Sequence, residues 1–301
     1  MGWGDSLSAL WRVFCTVSDA SAVEAAARAL DDSVASLSVF EAEPDGPWLV
    51  EGVCPQKPAA AALEARLALA WIGRADPPPA LIVEQLPARD WLAENQASFV
   101  PITVGRYFIH ASTAQGKKPA GRIALAIDAA TAFGTGEHAS TRGCLVALDR
   151  LARRGRRARV LDMGTGTGIL AMAAAKTWRC RNIAAFDIDA EAVRVARRNV
   201  FVNGVAASIT PRVAHSFAAR TLRRGAPYQI IFANILARPI IAMSRGLAGA
   251  LAPGGVAILS GLLPWQESAV LAAYRRQRLP LARRILVDGW STLILSRKVK
   301  A

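Results

Sequence analysis

VLDMGTGTGIL, at residues 160–170, joins an apolar segment to three glycines at alternate positions and then to the start of an apolar helix. The apolar segment is typical of a buried strand. Glycines let the backbone turn sharply and approach a ligand without an intervening Cβ. In an open α/β sheet, ligands bind beyond the carboxyl ends of the strands. The stretch therefore predicts a strand, a ligand-binding turn and a helix of an α/β domain.

The spacing of the glycines separates the classes of nucleotide site. A dinucleotide fingerprint needs glycine at the sixth position of the turn, where this chain has Ile169, and no Gly-Lys-Ser/Thr of a P-loop is present. The next strand ends at Asp187, 23 residues after Gly164. A carboxylate at that strand end can accept hydrogen bonds from both ribose hydroxyls. Asp189 is expected to cap the following helix.

Segments typical of strands and helices alternate from residue 159 to residue 301. This alternation predicts a mostly parallel sheet covered by helices, with a final hairpin that makes one terminal strand antiparallel. The predicted strands are 159–161, 183–186, 228–233, 256–260, 282–286 and 291–295, and the predicted helices are 168–178, 190–203, 238–251 and 265–278.

The first 85 residues have a different pattern, with strands expected at 10–17, 34–42, 48–53 and 81–84 and helices at 20–30 and 59–71. This order predicts a small α+β domain. We therefore expect three parts: a small α+β domain over 1–85, a linker over 86–120 and a large α/β domain over 121–301.

Composition excludes several classes of protein. The 301 residues are 52% hydrophobic and 20% charged, which excludes a disordered chain. No apolar run reaches the roughly 18 residues of a membrane span, and no secretory signal is present, so we expect a cytoplasmic protein. The four cysteines are widely spaced, and the three histidines lack metal-ligand spacing, so neither a disulfide framework nor a metal site is expected.

The net charge of +14 is unevenly distributed. Residues 1–100 hold 6 basic and 14 acidic side chains, whereas residues 101–301 hold 31 basic and 9 acidic ones. The acidic part would attract a basic protein. The basic part is either a surface for RNA or an ordinary solvated surface built from arginine.

Taken together, four segments resemble one family. The Gly-x-Gly-x-Gly pattern after Asp162 resembles motif I of class I S-adenosylmethionine-dependent methyltransferases. With AFGTGEHAST at 132–141, ANIL at 233–236 and LSGLL at 259–263, it closely resembles the PrmA family, bacterial methyltransferases of large-subunit ribosomal protein L11. The resemblance implies a Rossmann-like class I methyltransferase sheet over 121–301 and a ferredoxin-like substrate-recognition domain before it.

The resemblance also implies a cofactor, S-adenosylmethionine, which leaves as S-adenosylhomocysteine, and a set of site residues. Thr141, Gly164, Gly166, Asp187 and Asn234 would contact the cofactor or shape its pocket. Phe133, Gly134 and Gly136 would form a loop over its methionine end, and His138 is expected to anchor that loop. Where the family usually has Thr-Thr, this chain has Ser140-Thr141, which keeps a hydroxyl at both positions.

Asn234 is our candidate catalytic residue, because its side-chain oxygen could accept hydrogen bonds from an attacking amine. Alternatively it only braces the loop or the cofactor. The tetrad Asn234-Ile235-Leu236-Ala237 lacks the prolines and tyrosine of the Asn-Pro-Pro-Tyr found in glutamine-directed methyltransferases. This disfavours an amide acceptor and favours a lysine ε-amine or an N-terminal α-amine. Two other functions stay open: an RNA methyltransferase that uses the basic domain, and a non-catalytic cofactor-binding assembly factor.

Overall fold

The computed structural model describes residues 10–31, 33–34, 36–41, 46–86, 100–114, 118–128, 138–153, 155, 159–215, 217 and 220–298. The chain divides into two compact units, Met1–Asp90 and Trp91–Ala301. Among the described helices, none is long and apolar enough to span a lipid bilayer.

The first unit is an antiparallel sheet with two helices. Alternate residues of its first strand, Val13, Cys15 and Val17, are buried, as expected for a sheet with one covered face. Leu63 and Leu67, which are also buried, are four residues apart on one face of the second helix. The elements are β1 (Trp11–Val17), α1 (Ala20–Asp31), β2 (Ser36–Glu41), β3 (Trp48–Cys54), α2 (Ala60–Ala70) and β4 (Ile82–Gln85), and the sheet order is β2-β3-β1-β4. This is the small α+β arrangement that the sequence predicts.

The second unit begins with a small sheet that the sequence analysis did not predict. Its strands are β5 (Ile102–Val104), β6 (Tyr107–Ala111) and β7 (Ile123–Ile127), in the order β5-β6-β7. Two of them fall within 86–120, the range expected to be a linker. Tyr107 and Ile109 are fully buried, so this segment is part of the hydrophobic core.

The main sheet has seven strands in the order β10-β9-β8-β11-β12-β14-β13. The first five are parallel, and β14 is antiparallel to both of its neighbours. Numbered from β8, this order is 3-2-1-4-5-7-6, a Rossmann order with one extra strand inserted before the last. The mostly parallel α/β sheet predicted from the sequence is therefore confirmed. The strands are β8 (Arg159–Met163), β9 (Asn182–Asp187), β10 (Ile209–Val213), β11 (Tyr228–Asn234), β12 (Leu251–Leu262), β13 (Leu281–Val287) and β14 (Trp290–Ser296).

Helices cover both faces of this sheet, and each face has its own hydrophobic cluster. Val160 and Ile230 belong to one cluster, and their chain neighbours Leu161 and Ile231 belong to the other, because successive strand residues point to opposite faces. The helices are α3 (Ala139–Ala152), α4 (Ile169–Trp178), α5 (Ala190–Val202), α6 (Arg220–Gly225), α7 (Ala237–Ala242), α8 (Ser244–Ala250) and α9 (Glu267–Arg276), with a short 3-10 turn at Pro264–Gln266.

Two predicted elements differ from the structure in a physically simple way. The helix expected over 238–251 is two helices, α7 and α8, which meet at Met243, where the backbone has φ −84° and ψ −1°. The strand expected over 256–260 is longer. Its partner residues Tyr228 and Ile230 pair with Leu251 and Val256, so the intervening Pro253-Gly254-Gly255 bulges out of the ladder instead of ending it.

Asn199 of α5 and Asn203, the residue that follows α5, bind the backbone at the end of β7 as a neighbouring strand would. The Asn203 side chain accepts from the Ala126 amide at 3.0 Å and donates to the Ala126 carbonyl at 2.7 Å. The Asn199 side chain accepts from the Asp128 amide at 3.0 Å and donates to the carbonyls of Asp128 and Thr167. Because Asn199 is fully buried, these bonds satisfy backbone groups that water does not reach.

We expect Asn199→Ala to lower the free energy of unfolding by about 2–4 kcal/mol, because it leaves buried backbone groups without partners. Urea unfolding and faster amide exchange in residues 123–128 would measure the loss. The matched control is Asn182→Ala, since Asn182 is exposed and its side chain forms no hydrogen bond with another described residue. An Asn199→Ala variant as stable as this control would contradict the role given to the asparagine pair.

Candidate active site

The candidate site lies where neighbouring parallel strands end. In the register of the sheet, Ala233 of β11 is opposite Met163 of β8, and Asn234 is opposite Ser260 of β12. The glycine turn, Asn234 and Ser260 therefore meet at the carboxyl edge of the sheet, which is where ligands bind in this class of fold.

The glycine turn has a backbone that other residues rarely adopt. Gly164, Gly166 and Gly168 have φ of 73°, 52° and 84°, values in the left-handed region that favours glycine. The amides of Gly164 and Thr165 donate to the Phe186 carbonyl of β9, at 2.8 and 2.9 Å, and fix the turn to the sheet. The predicted strand-turn-helix is thus observed.

Asp162, the last acid before the turn, fixes the turn to the following helix by two hydrogen bonds. Its Oδ2 accepts from Thr165 Oγ1 at 2.7 Å and from the Ala171 amide at 3.1 Å. Burial raises the pKa of Asp162 to about 7, against these hydrogen bonds, and the nearby charge of Asp187 adds to the increase. Its Oδ1 is buried and has no hydrogen-bond partner among the described residues.

Asp187 closes the turn at the end of β9. Its Oδ2 accepts from the Gly166 amide at 2.8 Å, and its Oδ1 accepts from the Asp189 amide at 3.1 Å. Each carboxylate oxygen keeps a further lone pair for a ligand. As expected, Asp189 caps α5, since its side chain accepts from the Glu191 amide.

Asn234 and Thr141, more than ninety residues apart in the chain, are in direct contact. Asn234 Nδ2 donates to Thr141 Oγ1 at 3.1 Å, and both residues are at least nine-tenths buried. Asn234 Oδ1 is buried and has no partner among the described residues. This contact fixes the orientation of the amide and leaves its oxygen as an unused hydrogen-bond acceptor.

The start of α3, which carries Thr141, is held on two sides. His138 caps the helix: its Nδ1 accepts from the Ser140 amide at 3.3 Å and lies 2.7 Å from Ser140 Oγ. The His138 ring packs edge-on against Trp290. Ser260 Oγ donates to the Ser140 carbonyl at 3.0 Å and thereby joins α3 to β12.

The structure brings together five of the residues that the sequence singled out: Thr141 with Asn234, and Gly164 and Gly166 with Asp187. Phe133, Gly134 and Gly136 lie outside the described residues. The glycine pattern did not single out Asp162 as a site residue, although an acid near the end of the strand before the first glycine is a usable signal. Nor did it single out Ile188, an apolar side chain that is 66% exposed beside Asp187. In the described part of the chain, no group of His, Cys, Asp and Glu is arranged to hold a metal ion.

Comparisons with known proteins converge on one family. The family model described as ribosomal protein L11 methyltransferase (PrmA) matches residues 18–298. The chain is 40% identical to a ribosomal protein L11 methyltransferase of Rhodopseudomonas palustris over 89% of each chain. It is 44% identical to one of Rhizobium meliloti over 71% of this chain and 73% of the relative. A crystal structure of ribosomal protein L11 methylase from Lactobacillus delbrueckii subsp. bulgaricus is 25% identical, covers 66% of this chain and 100% of its own, and superposes with a TM-score of 0.60.

The helix cap gives a prediction about pH. Burial, helped by the charge of Arg142, lowers the pKa of His138 to about 4. Between pH 6.5 and pH 4 the unfolded chain therefore binds a proton at this position that the folded chain does not. We expect His138 to contribute a decrease in unfolding free energy of up to about 3 kcal/mol as the pH falls through this range.

The difference in urea unfolding between wild type and His138→Gln isolates this contribution, because other groups such as Asp162 titrate in both proteins. His215→Gln, which changes an exposed histidine, is the control. Parallel pH profiles for wild type and His138→Gln would show that the cap does not titrate in this way.

Proposed function

This chain belongs to the ribosomal protein L11 methyltransferase (PrmA) family, and from that membership we propose that it transfers methyl groups from S-adenosylmethionine to amino groups of ribosomal protein L11. The family model matches residues 18–298, so the proposal concerns both units of this chain. A ribosomal acceptor makes the cytoplasm the expected place of the reaction.

The observation that carries the proposal is the buried Oδ1 of Asn234, which no described residue supplies with a hydrogen bond. A buried polar atom without a hydrogen bond costs free energy, on the order of 1–3 kcal/mol, unless a ligand supplies a partner. Because the amide nitrogen donates to Thr141 Oγ1, the orientation of the amide is fixed and the oxygen is left to accept a hydrogen bond from a ligand. A ligand with an N–H group satisfies it, and an amine substrate is such a ligand.

The residues of the site also fit the cofactor. Asp187 has free lone pairs for the two ribose hydroxyls, and Gly164 and Gly166 present backbone without side chains for a close approach. When bound, S-adenosylmethionine supplies an electrophilic methyl group and its own leaving group, so the protein needs neither a covalent nucleophile nor a metal for this chemistry.

What the protein must supply is a neutral amine in the correct orientation. A lysine ε-amine has an ordinary pKa of about 10.4 and an α-amine one of about 7.7–8.0, so the lysine is mostly protonated at neutral pH. Removing the amine from water into the site favours its uncharged form. Asn234 Oδ1 then accepts one amine N–H and directs the nitrogen lone pair toward the methyl group, which lowers the entropic part of the barrier.

The residues after Asn234 favour an amine over an amide as acceptor. Ile235 and Leu236 replace the prolines that would surround a planar amide in glutamine-directed enzymes. The side chain of Ile235 instead packs directly on Gly164.

The direct test is mass spectrometry of purified L11 after incubation with the protein and S-adenosylmethionine. We expect mass increments of whole methylene units on lysine or N-terminal nitrogens. With Asn234→Ala we expect a fall in kcat on the order of 10²-fold, while cofactor affinity stays within a few-fold of wild type.

Asn182→Ala, a surface asparagine change, is the control and should leave both values unchanged. Equal losses of turnover and cofactor binding in Asn234→Ala would reassign the residue to cofactor binding. Methylation of rRNA without methylation of L11 would contradict the proposed acceptor.

The acidic first unit provides a second prediction. Glu64, Asp76 and Glu84 are exposed there, and complementary charge speeds the encounter with a basic protein. Replacing all three by lysine should lower kcat/KM for L11 about tenfold at low ionic strength and leave kcat at saturating L11 unchanged. The neutral variant Glu64→Gln/Asp76→Asn/Glu84→Gln should have a kcat/KM for L11 between those of wild type and the lysine variant. If neither variant alters kcat/KM or its salt dependence, the acidic unit does not attract the substrate by charge.

A further inference from the structure

Four exposed arginines surround one open groove on the main sheet. The groove has a volume of about 370 Å³. It runs along β9 and β10, from Asn182 to Phe186 and Arg212, and also reaches the starts of β8 and β11. None of the candidate active-site residues Thr141, Gly164, Gly166, Asp187 and Asn234 lines it. Its described lining contains no acidic residue and consists of Arg159, Arg181, Asn182, Ile183, Ala184, Phe186, Thr210, Arg212, Arg224, Gly225 and Tyr228.

Within the described part of the chain, the four arginines have no polar side-chain partners. None of Arg159, Arg181, Arg212 and Arg224 forms a side-chain hydrogen bond or ion pair with another described residue. Elsewhere in the second unit, arginines such as Arg106 and Arg284 are paired with carboxylates. Four unpaired guanidinium groups around one concave surface repel one another, and a bound anion would remove that cost.

The fold places two of these charges on strands, Arg159 on β8 and Arg212 on β10, while Arg181 directly precedes β9 and Arg224 lies on α6. Arg159 begins β8 and is paired in register with Asn182 at the start of β9, and Arg212 of β10 is paired with Phe186 of β9. Adjacent strands are about 4.8 Å apart and each strand residue adds about 3.3 Å, so Arg159 and Arg212, offset by four residues along β9, are roughly 16 Å apart along the backbone surface. This is wider than one phosphate group requires, so the arrangement fits a ligand that carries several phosphates in a row.

We propose that this groove binds the phosphate backbone of RNA. The planar guanidinium fork matches phosphate oxygens in a bidentate manner. The uncharged side chains of Asn182 and Thr210 line the same groove and can bond to phosphate or sugar oxygens. An RNA strand repeats its negative charge at every nucleotide, which an acidic protein segment does not do regularly. The site is independent of the proposed methyl transfer, although a ribosomal acceptor would bring rRNA near it.

The test is fluorescence anisotropy of a labelled oligouridine of about 16 nucleotides, titrated with the full-length protein at several salt concentrations. We expect Arg181→Gln/Arg212→Gln to weaken binding at least tenfold at low salt. The slope of log affinity against log salt should become shallower by about 1.4, since two phosphate contacts are lost. The control, Arg245→Gln/Arg275→Gln, removes the same charge from exposed arginines of α8 and α9 and should change affinity less than twofold.

Four results would overturn the proposal: no binding by wild type, equal losses in the groove and control variants, complete competition by inorganic phosphate at matched ionic strength, or equally tight binding of polyglutamate. The third would mean a site for a single anion and the fourth a site for an acidic protein. Methylation of free L11 is measured separately and should be unchanged in the groove variant, so a failure of the proposed function leaves the RNA titration interpretable.

Discussion

The close packing of Ile235 between two glycines is the contact on which the candidate site depends. A Cβ on Gly164 would lie 2.2 Å from Ile235 Cγ2, and a Cβ on Gly261 would lie 2.5 Å from the Ile235 carbonyl oxygen. Both distances are too short for any side chain, and both glycines have positive φ. Because both positions lack a Cβ, Ile235 fits between the turn after β8 and the end of β12, and β11 can end there. Asn234, the residue before Ile235, is thereby held beside the glycine turn.

Around this contact, polar side chains bind backbone groups and fix the segments that reach the site. Asn199 binds the end of β7, His138 caps α3, and Ser260 joins α3 to β12. A side chain that satisfies buried backbone groups has only a few acceptable positions, because each misplaced group would be left unpaired. These bonds fix the position of Thr141, and Thr141 orients the amide of Asn234 through one hydrogen bond.

Much of the fold and part of the site could be predicted from local sequence. The glycine spacing and the acid at 187 predicted the strand-turn-helix and its partner strand, because positive φ and strand ends have strong sequence signals. Residues 100–127 and the helix of Thr141 were not predicted as elements. The strands there are three to five residues long, too short for a clear periodicity, and the helix contains Gly143, which is required by close packing against Thr292. The asparagine pair on β7, the partner of Asn234 and the groove of unpaired arginines depend on tertiary contacts that a sequence pattern does not contain.

The most direct test of the pocket is isothermal titration calorimetry of wild type and Asp187→Ala with S-adenosylmethionine, S-adenosylhomocysteine and NAD. We expect the two sulfur compounds to bind to wild type with a one-to-one stoichiometry and to bind to the Asp187 variant at least tenfold more weakly. We expect NAD not to bind. Binding of NAD in place of the sulfur compounds, or binding that is indifferent to the loss of the Asp187 carboxylate, would contradict the proposed pocket.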